Sequence, residues 1–226
     1  MAKTYKIGTR TSPLALKQVE EILNALNDAG TSLKAEIVGI DTCGDKDKFT
    51  PISYIEGEDF FTKEIDQALL LGEIDFAVHS AKDVPFVLAE GFHIAALTES
   101  IDPYDVLVSR DGLKLDSLPF GARIGTSSIR RKEALKKFRP DFELVDIRGN
   151  IQERLKILET TSLNAIVIAA AGLIRLGLEE RITEILPPHI LEPHPLQGRL
   201  AVIARAEDSD LIEILSKIDS RETAVI

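Results

Sequence analysis

Short runs of β-branched and apolar residues alternate along this chain with stretches whose apolar positions recur near every 3.6 residues. This alternation restricts the fold more than any other feature. The β-rich runs are Lys6 to Thr9, Ala35 to Ile40, Phe76 to His79, Val106 to Ser109, Phe142 to Ile147, Ala165 to Ala170 and Leu200 to Ala204. Strands separated by helices build βαβ units, so the pattern predicts an α/β protein with mostly parallel sheets.

Two helices carry explicit start signals. Ser12 can cap the first, Pro13 fits its first position, Leu14, Leu16, Val19, Ile22, Leu23 and Leu26 supply an apolar face, and Gly30 ends it. Asn150 can cap a second, with Glu153 returning the bond ahead of Leu155 and Leu158. Residues Asp41 to Asp59 are polar and aperiodic, predicting a weakly ordered loop before a helix that starts near Thr62. Ser100 to Asp105 reads as a crossover between domains, and Pro187, Pro188, Pro193 and Pro195 mark a second break. With a strand resuming afterwards, the second domain reads as an insertion into the first.

At 226 residues with 44% hydrophobic content, the chain can bury either one large core or two modest ones. Its 27 basic and 37 acidic residues leave a charge of -10, which opposes general binding to nucleic acid or anionic membrane, so any anion site must be local. A single cysteine, Cys43, excludes an internal disulfide framework, and no apolar leader precedes the first strand, so a reducing cytoplasm is expected. The longest apolar run, Ala165 to Ile174, is far below the roughly 18 residues a membrane span needs.

Ile7-Gly8-Thr9-Arg10-Thr11-Ser12 is echoed by Ile124-Gly125-Thr126-Ser127-Ser128, each joining a strand to a helix. A helix N-terminus offers unpaired N–H groups and positive dipole, and Thr126, Ser127 and Ser128 add hydroxyls, together a cradle for carboxylate or phosphate. Arg130, Arg131 and Lys132 follow in the first turn, where positive charge needs a compensating partner that a bound anion would supply; solvation of an exposed face is the alternative. Arg10, Arg148, Arg154 and Arg175 also stand near strand-to-helix junctions, where bidentate carboxylate binding suits arginine, although Arg175 and Arg181 have Glu179 and Glu180 nearby as surface partners. His79-Ser80-Ala81-Lys82-Asp83-Val84-Pro85 places a carboxylate just past a strand, either as a turn residue or as a group that stabilises a cation or moves a proton.

Arg10 to Ala15 with Gln18, His79 to Pro85, Gly125 to Arg131, Arg148-Gly149-Asn150 through Arg154, and Ala169 to Gly177 together resemble the hydroxymethylbilane synthase (porphobilinogen deaminase) family in order and spacing, over almost the whole chain. The resemblance implies an α/β fold of two type II periplasmic-binding-protein-like domains around a central cleft. It puts residues 1–99 plus 199–218 in one domain, 103–193 in the other, and 219–226 in a tail where a third domain would begin.

The implied reaction polymerises porphobilinogen, with loss of ammonia, into linear hydroxymethylbilane on a covalent dipyrromethane primer, without a metal. Asp83 would be the catalytic carboxylate. Arg10, Ser12, Lys82, Thr126, Ser127, Ser128, Arg130, Arg131, Arg148, Gly149, Arg154 and Arg175 would bind the carboxylate arms of cofactor and substrate. The expected partners are porphobilinogen and linear pyrrole oligomers, with no nucleic acid and no membrane. A monomer is the family expectation.

The resemblance puts the family's cofactor cysteine in a third domain, so no counterpart is expected among these residues; Cys43 matches no cofactor cysteine, and a separate subunit is one other source of the primer. The loop before Thr62 reads Tyr54-Ile55-Glu56-Gly57-Glu58-Asp59-Phe60-Phe61 where the family is rich in glycine and lysine, and Pro195-Leu196-Gln197-Gly198-Arg199 keeps only Gln197-Gly198 of a glycine-rich turn. A non-catalytic pyrrole- or polycarboxylate-binding paralogue is therefore the alternative to a synthase, and a solute-binding or effector-sensing domain is a weaker one.

Overall fold

The computed structural model describes residues 3–46 and 62–221. In chain order the first elements are β1 (Thr4–Thr9), α1 (Pro13–Asp28), β2 (Lys34–Gly39), α2 (Cys43–Lys46), α3 (Lys63–Leu70), β3 (Phe76–Ser80) and β4 (Phe92–Leu97). There follow β5 (Asp105–Ser109), β6 (Arg123–Gly125), α4 (Ile129–Phe138), β7 (Glu143–Val145), α5 (Ile151–Thr160), β8 (Ala165–Ala169) and α6 (Ala170–Arg175). The last are β9 (Glu184–Leu186), β10 (Leu200–Arg205) and α7 (Ser209–Leu215).

The chain divides into two compact units. Among the described residues, unit 1 comprises 3–46, 62–101 and 199–221, and unit 2 comprises 102–198.

Unit 1 holds a sheet of order β2-β1-β3-β10-β4 and unit 2 a sheet of order β7-β6-β8-β5-β9. In each, the first three strands are parallel and the fourth is antiparallel to both of its neighbours. The expectation of mostly parallel sheets is thus corrected to two mixed sheets. The reason lies in chain routing: the fourth strand is the last strand of unit 1, β10, and the first of unit 2, β5, and each runs against the βα units it closes. The units share one strand order and differ in where the chain enters it. β4 and β9 had no sequence reading, β9 because three residues carry no periodicity.

Local signals set the helices as the sequence predicts. Ser12 Oγ accepts the Ala15 N–H at 3.2 Å, Pro13 opens α1, and Ala15, Val19, Ile22 and Leu26 are buried beneath it. At α5 the capping box is complete, with Glu153 N–H donating to Asn150 Oδ1 at 2.9 Å and Asn150 N–H to Glu153 Oε2 at 2.8 Å.

Each unit has its own apolar interior. Ile7, Val19, Ile22, Leu26, Phe76 and Val202 pack on one face of the first sheet, and Ile65, Leu69, Ile74 and Ala77 on the other. In unit 2 the two faces are covered by Leu107, Leu135 and Phe142 and by Ile147, Leu158, Ile166 and Leu173. The glycine shared by the two echoed segments is required by this packing. A Cβ on Gly8 would stand 2.2 Å from Ile74 Cδ1, and one on Gly125 would stand 3.0 Å from carbons of Ile147 and Ile166.

Of the loop expected over Asp41 to Asp59, Cys43–Lys46 form a short helical turn instead, because Asp45 accepts the Thr42 N–H and hydroxyl at 3.2 and 2.8 Å; residues 47–59 lie outside the described residues. The acidic Tyr54 to Phe61 segment lies outside them as well. Asp219 to Arg221, read as the start of a tail, are pinned to β4: Ser220 N–H donates to Leu97 O at 2.9 Å and Arg221 Nη2 to Ile94 O at 2.8 Å.

Candidate functional site

In unit 1 the predicted residues gather at the carboxyl ends of the parallel strands β1, β2 and β3, the end of an α/β sheet where backbone turns into helix N-termini. Arg10 leaves β1 and grips Asp45 of α2, with Nε at 3.1 Å from both carboxylate oxygens and Nη2 at 2.5 Å from Oδ1. Burial raises Asp45, but the hydrogen bonds and charge of Arg10 with the Thr42 donors outweigh it and hold the carboxyl below its ordinary range. Ser12 uses its oxygen as the α1 cap, which leaves its hydroxyl hydrogen to donate.

At the end of β3, Gln18 donates from α1 to Ser80 Oγ at 2.9 Å, and Ala81 N–H donates to Arg199 O at 3.0 Å. The chain then makes a single 3-10 turn, Ala81–Asp83, leaving Lys82 and Asp83 half-buried. The Asp83 carboxylate has no hydrogen-bond or ionic partner among the described residues. His79 is buried, and its Nε2 has no partner among the described residues. Burial and then the Arg10 charge pull its pKa down to about 4, so the imidazole is neutral.

In unit 2 the turns after β6 and β7 are laced together. Thr126 N–H donates to Val145 O at 2.9 Å; Ser127 Oγ donates to Ile147 O at 2.7 Å and accepts the Ile147 N–H at 3.0 Å. Thr126 and Ser127 are both buried, and the Thr126 hydroxyl accepts the Ser128 N–H at 3.4 Å. Ser128 caps α4 by accepting the Arg131 N–H at 3.5 Å.

After β7, Arg148 is half-buried and Gly149 takes φ +97°, a backbone that bends the chain into the α5 capping box. Arg154 Nε reaches back to Gly149 O at 2.8 Å. Arg175, at the end of α6, donates from Nη2 to Gly198 O at 2.8 Å.

The compensating partner for the α4 arginines, expected to be a bound anion, is a residue of the chain itself. Asp105, fully buried at the start of β5, accepts Arg130 Nη2 at 2.5 Å and Arg131 Nη2 and Nε at 2.7 and 3.1 Å. Burial raises Asp105, but the two guanidiniums prevail and hold it below the ordinary carboxylate range. Arg131 also donates to Val167 O at 3.1 Å, and its side chain is 8% exposed, against 32% for Arg130. Arg130 is the member of the pair that meets solvent. Lys132 pairs with Asp146 at 2.8 Å, and Arg181 pairs with Glu159 at 2.7 Å rather than with Glu179 or Glu180.

Sequence reasoning missed Asp105, Gln197 and Asp45. Gln197 Nε2 donates to Asp105 Oδ1 at 3.0 Å and to Pro103 O at 2.8 Å. A carboxylate at a strand's first position carries no periodic signal; a buried acidic partner had to exist for a buried arginine, but burial of Arg131 is not written in the sequence. Among the described residues, no group of three or more His, Cys, Asp or Glu side chains is placed to hold a metal ion, and no helix is long and apolar enough to cross a membrane.

Solved structures with this architecture define its class. The methionine binding protein MetQ superposes with a TM-score of 0.56 at 12% identity, covering 95% of this chain and 89% of that one. The periplasmic VFT2 domain of Bordetella pertussis BvgS superposes with a TM-score of 0.53 at 18% identity, covering 99% and 88%. The fold is that of periplasmic-binding-protein-like α/β domains.

Within that class, the family model described as "Porphobilinogen deaminase, dipyromethane cofactor binding domain" matches residues 5–213. Proteins named porphobilinogen deaminase are 45% identical over 221 residues in Syntrophomonas wolfei, covering 98% of this chain and 72% of that protein, and 48% identical over 228 residues in Fusobacterium nucleatum, covering 100% and 76%. The chain belongs to the porphobilinogen deaminase family.

Proposed function

We propose that this chain polymerises porphobilinogen into linear hydroxymethylbilane, releasing one ammonia for each unit joined. The carrying observation is Asp83, a half-buried carboxylate with no partner among the described residues, at the end of β3 in a chain of this family. A carboxylate left unpaired in the fold keeps its capacity to accept pyrrole N–H groups. Its fixed negative charge offsets the positive charge that grows on the ring as the aminomethyl C–N bond breaks.

The donor set suits a dipyrromethane, whose carboxylate arms need guanidinium and hydroxyl donors and whose ring N–H groups need an acceptor. Arg10, Lys82, Arg130, Arg148, Arg154 and Arg175 would hold the arms of cofactor and substrate, with the free hydroxyl hydrogens of Ser12 and Ser128. Thr126, Ser127 and Arg131 act one layer deeper, fixing the turn that presents Ser128 and Arg130. When bound, the dipyrromethane supplies the nucleophilic pyrrole carbon on which the chain starts. Asp83 keeps the incoming ring's N–H on its oxygens through ammonia loss and carbon–carbon bond formation, which aligns the reacting carbon and stabilises its cationic form.

Cys43 is not proposed as the primer's point of attachment. The Glu64 carboxylate accepts the Cys43 N–H at 2.9 Å, and negative charge beside a thiol disfavours its thiolate form. A cytoplasmic, monomeric enzyme is part of this reading.

The test is incubation of the chain with porphobilinogen, alone and with preassembled primer, followed by oxidation and measurement of uroporphyrin. Product formation that Asp83→Ala abolishes while substrate binding persists supports the reading. A folded protein that binds porphobilinogen and yields no product with primer would be the non-catalytic binder instead.

A further inference from the structure

Two arginines on successive residues in the first turn of a helix repel each other and oppose the helix dipole. Their long side chains also carry about 2 kcal/mol of rotamer entropy each, so nothing local gives them a fixed aim. Asp105 supplies both the charge and the aim. Its carboxylate is fully buried, and its two oxygens, with room for about four hydrogen bonds, receive Arg130 Nη2 on Oδ2 and Arg131 Nη2, Arg131 Nε and Gln197 Nε2 on Oδ1. The second Arg130 terminal nitrogen donates to Glu192 O, so that side chain is held at two points while its Nε remains unengaged among the described residues.

We propose that Asp105 is the positioning residue of the unit 2 anion site: it aims Arg130 at the ligand's carboxylate and trims two adjacent positive charges to one. Gln197 extends this hold to the ends of the unit. Its single Nε2 bridges Asp105 Oδ1 and Pro103 O, so the first strand of unit 2 and the turn that leaves it are clamped on the carboxylate that aims the arginines. The inference rests on the reading that Arg130 binds a substrate or cofactor carboxylate.

The test uses the whole chain with Asp105→Asn, Gln197→Met, Arg130→Met and the Asp105→Asn/Arg130→Met pair. Two readouts are taken: the rate at which phenylglyoxal modifies Arg130 and Arg131, mapped by peptide mass, and KM against kcat for porphobilinogen. Loss of a charge-assisted hydrogen bond should speed modification about tenfold or more in Asp105→Asn, with a smaller rise in Gln197→Met, which keeps every charge.

KM should rise by a similar factor with kcat nearly unchanged, the signature of lost binding rather than lost chemistry. In the Arg130→Met background, Asp105→Asn should change KM less than about twofold, whereas a merely structural role gives the same added loss in both backgrounds. Unchanged modification rates in a folded Asp105→Asn protein overturn the inference; if that variant does not fold, an unchanged rate in Gln197→Met overturns it. A parent protein that neither binds nor converts porphobilinogen sinks the functional reading separately, while the modification rates still decide whether Asp105 holds the arginines.

Discussion

Gly149 should tolerate no side chain, and its replacement by alanine tests how the Arg148 to Arg154 segment is held. The residue sits at φ +97°, and a Cβ there would lie 2.5 Å from Glu153 Oε2 and 3.0 Å from Glu153 Cβ. Holding an L-residue in that backbone region costs about 1–3 kcal/mol. Moving Glu153 aside breaks its 2.8 Å bond from the Asn150 N–H, a loss of about 0.5–1.5 kcal/mol. Against these stands a gain of about 0.4–1 kcal/mol from a stiffer unfolded chain. The net is a destabilisation of about 2 kcal/mol, which for a chain of this size lowers the melting temperature by about 4–8 °C in scanning calorimetry. In a Glu153→Ala background the displaced carboxylate is already gone, so the same change should cost about 1 kcal/mol less. KM for porphobilinogen should rise as well, because Arg154 Nε takes its aim from the Gly149 carbonyl at 2.8 Å. Equal costs below about 0.5 kcal/mol in both backgrounds would refute the account.

Other perturbations separate chemistry from scaffold. Asp83→Ala should remove uroporphyrin production while shifting the urea midpoint by no more than about 0.5 kcal/mol equivalent, because no partner among the described residues loses a bond. His79 is pulled from 6.5 to about 4 in the folded state, so the unfolded chain binds the extra proton in that window. Stability should therefore fall by about 3 kcal/mol as pH drops from near 6.5 to below 4, and His79→Leu should flatten that part of a urea-midpoint profile. Ser127→Ala leaves the Ile147 N–H and carbonyl without their partner, costing about 1–3 kcal/mol in urea unfolding and raising KM through the loosened Ser128 turn.

The parts of the fold written in short range were readable. Ser12 with Pro13 and Asn150 with Glu153 are chemical instructions confined to four residues, and both caps form where they point. Strand direction was not readable, because β10 and β5 become antiparallel only through pairings with strands far away in the sequence, such as Ala201 with His79 and Val106 with Ile168. The same distance hid the partners of the basic residues. Asp105 and Arg131 are 26 positions apart, and Asp45 and Arg10 are 35 apart. The motifs could name the arginines, but which guanidinium is buried and which meets solvent depends on packing that no local pattern encodes.

That sorting changes what a cluster of arginines means for the site. In the sequence Arg130 and Arg131 look equivalent, yet the fold gives Arg131 a carboxylate and a backbone carbonyl in the interior and leaves the Arg130 side chain partly exposed to solvent. A lysine at 131 would keep the charge but not the geometry, since one ammonium cannot present Arg131's planar set of Nε, Nη1 and Nη2 to Asp105 and Val167. A lysine at 130 would lose the two-point hold on Asp105 and Glu192 while remaining near solvent. The two replacements should then differ in kind. At the buried position stability falls together with ligand binding, and at the half-buried one binding falls with the smaller loss of stability, since Asp105 keeps Arg131 and Gln197. This contrast follows from treating the pair as one supporting and one contacting residue rather than as two copies of the same ligand.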